Sequence, residues 1–480
     1  MDYQDMIIEA SDDQREVTSD KRRLLRFKVR VIVSPAGEMA ADSAIGVEID
    51  ERELRAALQN LEARKLEQGE LIALGKTLAA LLLPPVQDGT GASIRDLFKD
   101  SLVLAVSAGS GLRLRLRLPL QLAVLPWEYM YADRAGGGDG MDGFLALDPR
   151  VAIVRHEVLT ASAQPAPASG DIKAVVALTS GDGPVLNLAS ERAVLEKAFQ
   201  GQDGITPEFI DNATLAEVTE AAPGAGIFHF AGHGTFDTHM SQEPGVYTGT
   251  GTISLEDRSV DAEELGIGLR GEGIRLAVLG ACESGRRDAF NPWSGIAAAL
   301  TKAEIPAVIA NQYSIEDRSA VAFIRAFYQG LAGGLNIEHA VSRGRIAAYH
   351  VDADGRDWGV PVLYLRAANG QLFEGAADKG QRASARAQAE ADISVRVNEI
   401  APSGEVLGSS VRQMLGGKMT IGVRAGTVHG TLTGGEFGEL IGGNVNVDMD
   451  VETVTGRVTG ARFDRFRGAP RADGGRQFEE

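Results

Sequence analysis

The chain has 480 residues, 44% of them hydrophobic and 24% charged, enough apolar side chain for a sizeable core and too much for wholesale disorder. Its 66 acidic residues outweigh 48 basic ones, and a net charge of −18 opposes sequence-independent wrapping of nucleic acid. One cysteine excludes an intrachain disulfide and an all-cysteine zinc site, a usage that fits a reducing compartment.

The opening MDYQDMIIEASDDQRE has no basic head followed by an apolar run, so no signal peptide is expected. The longest greasy stretch, Leu78 to Val86, is too short to span a bilayer. The expectation is a cytoplasmic protein with no membrane partner and no direct nucleic-acid partner.

Residues 1–165 read as an α+β portion. Arg26–Val33 alternates as a strand. Glu51 to Leu83 has helical spacing, with Leu54, Leu58, Leu61 and Ile72 available for burial, and Pro84 and Pro85 stop it. Leu112–Leu118 alternates strictly, with Arg113, Arg115 and Arg117 on one face and four leucines on the other. That predicts a half-buried strand with a solvated or ion-paired arginine face. Val151–His156 is a further strand, and Ala135–Asp142 is a glycine-rich loop.

Residues 166–368 switch to an α/β rhythm. Strand-length apolar runs are Ile172–Leu178, Ile227–Phe230, Ile274–Gly280, Ala307–Ala310 and Pro361–Leu365. Helical patterns separate them. Ser190 is placed to cap Glu191–Phe199, Thr214 and Glu217 form a capping box, and Asn336 opens Ile337–Tyr349. Short, continuous apolar strands separated by helices argue for a mostly parallel sheet covered on both faces. Ligand sites in such sheets form beyond the C-terminal strand ends. Residues 369–400 read as a polar linker, 401–468 as a small glycine-rich all-β module (a short solenoid or stacked hairpins), and 469–480 as a tail.

Two of these strands run directly into small residues and one reactive side chain. The first gives His229-Phe230-Ala231-Gly232-His233-Gly234, and the second gives Leu279-Gly280-Ala281-Cys282-Glu283-Ser284-Gly285. In a parallel sheet both ends share one rim, so His233 and Cys282 face each other across it. A nearby imidazole favours the thiolate and can protonate a leaving amine. The backbone N–H groups of Gly234 and Cys282 are candidates for an oxyanion hole. The expected chemistry is acyl transfer to Cys282, followed by hydrolysis of the thioester. The order and spacing also match the general caspase pattern, although Gly-Ala-Cys-Glu-Ser-Gly departs from the caspase sequence around its cysteine.

These stretches resemble a CHAT domain, a branch of the caspase-like clan of cysteine peptidases that includes the separases. HFAGHG (229–234) and LGACESG (279–285) resemble the family's histidine and cysteine motifs. Leu125-Pro126-Trp127-Glu128 resembles its Pro-Trp-Glu segment, Gly295–Ala310 through Leu331 its following helix–strand–helix, and Trp358–Leu365 its closing strand. The resemblance implies a caspase-like fold over residues 1–368, with His233 as catalytic histidine and Cys282 as nucleophile. It also implies protein or peptide substrates and regulation by a separate activating or sensor protein. No nucleotide loop is visible, since Gly181-Asp182-Gly183-Pro184 lacks a Gly-Lys-Ser/Thr ending.

Substrate preference is read from charge. A pocket for a basic P1 side chain needs a carboxylate, and Asp317, Glu283 and Asp237 are the candidates near the rim, against Arg286 and Arg287 for an acidic P1. Asp317 is equally placed to cap the helix after it. His233, Asp237 and His239 do not make a strong zinc pattern, so neither metal nor cofactor is expected. The alternative function is a catalytically weak peptide- or protein-binding scaffold. A further possibility gives the C-terminal module an autoinhibitory role.

Overall fold

The computed structural model describes residues 2–17, 23–85, 93–132, 140–155, 168, 171–181, 188–200, 204–240, 247–280 and 292–374, and the strands between 390 and 467. The chain divides into two compact units, Met1–Ala376 and Ala377–Glu480.

The first unit begins with β1 (Tyr3–Val17), β2 (Arg23–Val33) and β3 (Ile45–Asp50). Helices α1 (Glu51–Glu62), α2 (Gln68–Leu82) and α3 (Ile94–Ser107) follow, then β4 (Gly111–Arg117), α4 (Leu120–Ala123) and β5 (Val151–Arg155). The single helix expected over 51–83 is two. Arg64 takes a left-handed turn at φ 56°, and a capping box between Glu67 and Glu70 opens α2.

The α/β region continues with β6 (Ile172–Leu178), α5 (Leu188–Phe199), β7 (Ile205–Asp211), α6 (Leu215–Ala221) and β8 (Ala225–Ala231). Next come β9 (Gly234–Met240), β10 (Tyr247–Ser254), β11 (Ser259–Asp261) and α7 (Ala262–Leu269). It closes with β12 (Leu276–Gly280), α8 (Pro292–Lys302), β13 (Ala307–Asn311), α9 (Asp317–Ala332), α10 (Ile337–Val351) and β14 (Pro361–Leu365). Thr214 and Asn336 cap α6 and α10 as the sequence predicts, whereas α5 starts at Leu188, so Ser190 lies inside it.

One 11-stranded sheet runs through the whole unit in the order β3-β2-β1-β4-β5-β14-β13-β12-β8-β6-β7. From β1 through β7 every neighbouring pair is parallel except β14 with β13. This is a mixed α/β fold with a large, mostly parallel sheet flanked by helices. Alternate residues feed two cores. Ile227, Ala231, Leu276 and Val278 join α5, α9 and α10 side chains such as Leu195, Phe327 and Val341. Phe228, Phe230, Ala277 and Leu279 join Val218 of α6, Leu265 of α7 and Leu300 of α8.

The arginine stripe of β4 is not solvated. β4 lies between β1 and β5, with both faces covered. Arg113 pairs with Asp5 and with the buried Glu338 of α10, and Arg115 donates to Asp5 and to the carbonyls of Leu365, Ala367 and Ala368. Five fixed donors per guanidinium can satisfy such carbonyls at close quarters, which is why arginine is tolerated there. Glu128 is also fully buried, and accepts from Arg155 at 3.2 and 2.7 Å and from Gln312 at 3.0 Å. It thereby ties the Pro-Trp-Glu segment to β5 and to the residue after β13.

The second unit contains β15 (Glu390–Ile400), β16 (Glu405–Leu407), β17 (Ser410–Leu415), β18 (Lys418–Val428), β19 (Thr431–Ile441), β20 (Asn444–Val454) and β21 (Arg457–Arg467). They form two sheets, β15-β18-β20 and a second in which β19 pairs with β16, β17 and β21. All described pairs here are parallel, whereas stacked hairpins pair antiparallel. Lys418 faces Asn444 and Thr431 faces Arg457, 26 residues apart in each case, whereas Glu390 faces Lys418, 28 apart.

Candidate active site

β8 and β12 are adjacent and parallel, and their register pairs run from Ile227 with Leu276 to Ala231 with Gly280. The two strands therefore end level on one rim. His233 lies two positions past Ala231, as Cys282 lies two past Gly280. Cys282 and Glu283 themselves, with Arg286 and Arg287, lie outside the described residues.

The approach to His233 is built from close backbone contacts. Gly232 donates to the Gly280 carbonyl at 3.3 Å, extending the β8–β12 ladder one residue beyond the strand. A Cβ at Gly232 would stand 2.7 Å from Phe230 Cζ and 2.8 Å from the Thr179 carbonyl, so glycine alone fits this bend. His233 is half-buried, and its carbonyl accepts from Ser254 N–H at 2.9 Å. That makes His233–Ser254 the hydrogen-bonded pair at the start of the β9–β10 ladder. Gly234, opposite Ile253, is then in the non-hydrogen-bonded pair, and its N–H points away from β10. Among the described residues β9 is the outer strand of the sheet β11-β10-β9, so that N–H points to the side away from the ladder. Asp237 stands on β9 opposite Thr250, and His239 opposite Thr248.

Beneath the rim lies a residue whose partner the sequence does not announce. His229 is buried, and its Nδ1 is 2.7 Å from the hydroxyl of Tyr328 on α9. Burial pushes the imidazole down to about 3, so it is neutral at physiological pH. Burial likewise pushes the Tyr328 phenol up. The helical spacing of α9 places Tyr328 among core positions, but nothing in it signals a hydrogen bond to a strand.

Asp317 is exposed in the first turn of α9, beyond the C-terminal end of β13, which neighbours β12. The helix cap is the residue before it, Glu316, whose N–H donates to Asp357 at 3.0 Å. Among the described residues, one set of three carboxylates comes close enough for a cation: Glu316, Asp352 and Asp357. Arginines already occupy it. Arg64 is 2.7 Å from Asp357 and 3.4 Å from Glu316, and Arg318 is 3.0 Å from Glu316 and 3.1 Å from Asp352. Two guanidiniums among three carboxylates leave little attraction for a metal.

Residues 73–374 match the CHAT domain. The chain belongs to the CHAT domain family. No curated protein matches it. Among solved structures, two of the Saccharomyces cerevisiae separase–securin complex are similar. One has 10% identity over 75% of this chain and 30% of that chain, with a TM-score of 0.39. The other has 11% identity over 76% and 30%, with a TM-score of 0.41. This chain thus spans under a third of the length of the protein it matches there. None of the described helices is long and apolar enough to cross a membrane.

Proposed function

We propose that this CHAT protein is a cysteine endopeptidase acting through a His233–Cys282 dyad. The observation that carries the reading is the level ending of β8 and β12, each followed after two positions by one member of the pair. Adjacent strands lie about 4.8 Å apart, so groups leaving level strand ends start within reach of each other. The Cys282 thiolate attacks the scissile carbonyl, and the oxyanion takes hydrogen bonds from the N–H groups of Gly234 and Cys282. The outward direction of the Gly234 N–H supports its part. The imidazolium of His233 protonates the leaving amine. Neutral His233 then takes a proton from water, whose hydroxide attacks the thioester and releases a carboxylic acid and the Cys282 thiolate, restoring the thiolate–imidazolium pair.

A basic P1 residue suits the carboxylates available, with Asp317 first, then Glu283 and Asp237. The enzyme is expected to work in the cytoplasm, switched by a separate protein. A peptide library cleaved by wild type and by Cys282→Ala tests the reading. Cleavage after Arg or Lys, lost in the folded variant, supports it. Cleavage that persists in the variant refutes the nucleophile. A wild-type Cys282 that ignores an electrophilic peptide points instead to a peptide-binding scaffold.

A further inference from the structure

The second unit carries an inference of a different kind, in the charge of its strands. Connections of two residues join β18 to β19, β19 to β20 and β20 to β21. Two residues reach about 7 Å, whereas an 11-residue strand is about 36 Å long. Each strand must therefore turn back, and the two sheets run in opposite directions. β20 and β21 form the last described rung. Among the described residues β20 pairs only with β18 and β21 only with β19, so each offers an open edge.

Along β15-β18-β20, and from β17 to β19 to β21, neighbouring strands alternate in sign; the three-residue β16, with Glu405 beside β19, is the exception. β15 carries Glu390, Asp392 and Glu399 against Arg396, net −2; β18 carries Lys418 and Arg424, net +2; β20 carries Asp448, Asp450 and Glu452, net −3. In the other sheet β19 carries Glu436 and Glu439, net −2, and β21 carries Arg457, Arg462, Arg465 and Arg467 against Asp464, net +3. The register sets Glu436 opposite Arg462 and Glu439 opposite Arg465.

We propose that the last rung is a dimer interface at which β20 of one copy pairs antiparallel with β21 of a second copy, twice. A twofold axis along the strand direction carries each sheet onto the end of the other and reverses the pairing direction. It sets −3 against +3 at both edges. The other perpendicular twofold sets β20 against β20 and β21 against β21, like on like. Head-to-tail stacking sets β20 at −3 against β15 at −2. Only the first arrangement sets opposite net charges together at both edges, and open edges of equal length are templates for such pairing.

The test is the mass of the full-length protein in solution by light scattering. At about 0.05 M salt the wild type should show about 101 kDa, twice its 50.7 kDa, and should shift toward one chain at about 0.5 M salt. Arg457→Glu/Arg467→Glu takes β21 from +3 to −1 while sparing the pairs with Glu436 and Glu439. Asp448→Lys/Glu452→Lys takes β20 from −3 to +1 while sparing Asp450 opposite Arg424. Each double variant should be monomeric, and an equimolar mixture of the two should recover the dimer. Recovery also shows that both variants fold. A monomeric wild type at low salt, a variant that stays dimeric, or a mixture that stays monomeric overturns the proposal.

Discussion

Replacing His229 and Tyr328 together by phenylalanine should change how stability depends on pH. In the folded chain the His229 imidazole titrates at about 3, and in the unfolded chain at the ordinary value of 6.5. Unfolding therefore takes up a proton on this ring whenever the pH lies between those values. Its contribution is fully present above 6.5 and drains away as the pH falls toward 3. At 1.36 kcal/mol per unit, a drop from pH 7.5 to 5 removes about 2 kcal/mol through this ring alone. The double variant lacks the term. Exchanging both hydrogen-bond partners for apolar rings of similar shape leaves no orphan and costs little at neutral pH. Urea unfolding at pH 7.5 and pH 5 measures both proteins. The wild type should lose about 2 kcal/mol more than the variant over that interval. Equal losses would refute the buried, neutral state of His229.

Three further outcomes follow from the same contacts. Glu128→Ala removes what is, among the described residues, the only carboxylate bonded to Arg155, whose other described bonds are to the carbonyls of Ala123 and Leu125, and should cost about 3–5 kcal/mol in denaturant unfolding; a loss under 1 kcal/mol contradicts the assignment. Gly232→Ala forces a Cβ to 2.8 Å from the Thr179 carbonyl and should cost about 1–3 kcal/mol and depress peptide cleavage, whereas among the described residues Gly280→Ala meets nothing closer than 3.6 Å and should fold normally; equal stabilities would count against the close bend. Asp317→Asn should raise KM for Arg- or Lys-containing peptides several-fold and leave cleavage of a neutral-P1 peptide unchanged; a uniform effect on both would remove Asp317 from the specificity pocket.

The central strands were legible because both of their faces are buried. Ile172–Leu178 and Pro361–Leu365 read as continuous apolar runs, and the structure places strands over those same residues. β7 was hidden because Ile-Thr-Pro-Glu-Phe-Ile-Asp contains a proline and two acids. It is the outermost strand of the sheet, where a missing N–H and exposed charges are tolerated. β4 was legible in part: its arginine face is ion-paired, as one of the two expectations had it, but the strand is buried rather than half-buried, because distant partners, Asp5, Glu338 and the carbonyls of Leu365 and Ala367, satisfy the guanidiniums. The rim that holds His233 was predictable from a strand running into Gly-His-Gly. The level register with β12 was not, because a sequence fixes which face a residue takes but not the height of one strand against the next.

That height has a physical source in β8. Its sequence, Ala-Gly-Ile-Phe-His-Phe-Ala, is apolar on both sides except at His229, so hydrophobic alternation alone discriminates weakly between its two faces. A slip of one residue would turn the imidazole toward the face that Val175, Ala177, Ala277 and Leu279 share with Phe228 and Phe230. A polar ring buried there without a partner costs several times RT, while in the native register Tyr328 supplies the partner at 2.7 Å. Fixing register is the best-attested use of a buried polar group. We infer that His229 serves it here: Gly232 bonds directly to Gly280, so a register held at His229 is carried to the bend that presents His233, and His229→Phe with Tyr328→Phe should then lower peptide cleavage while the chain still folds.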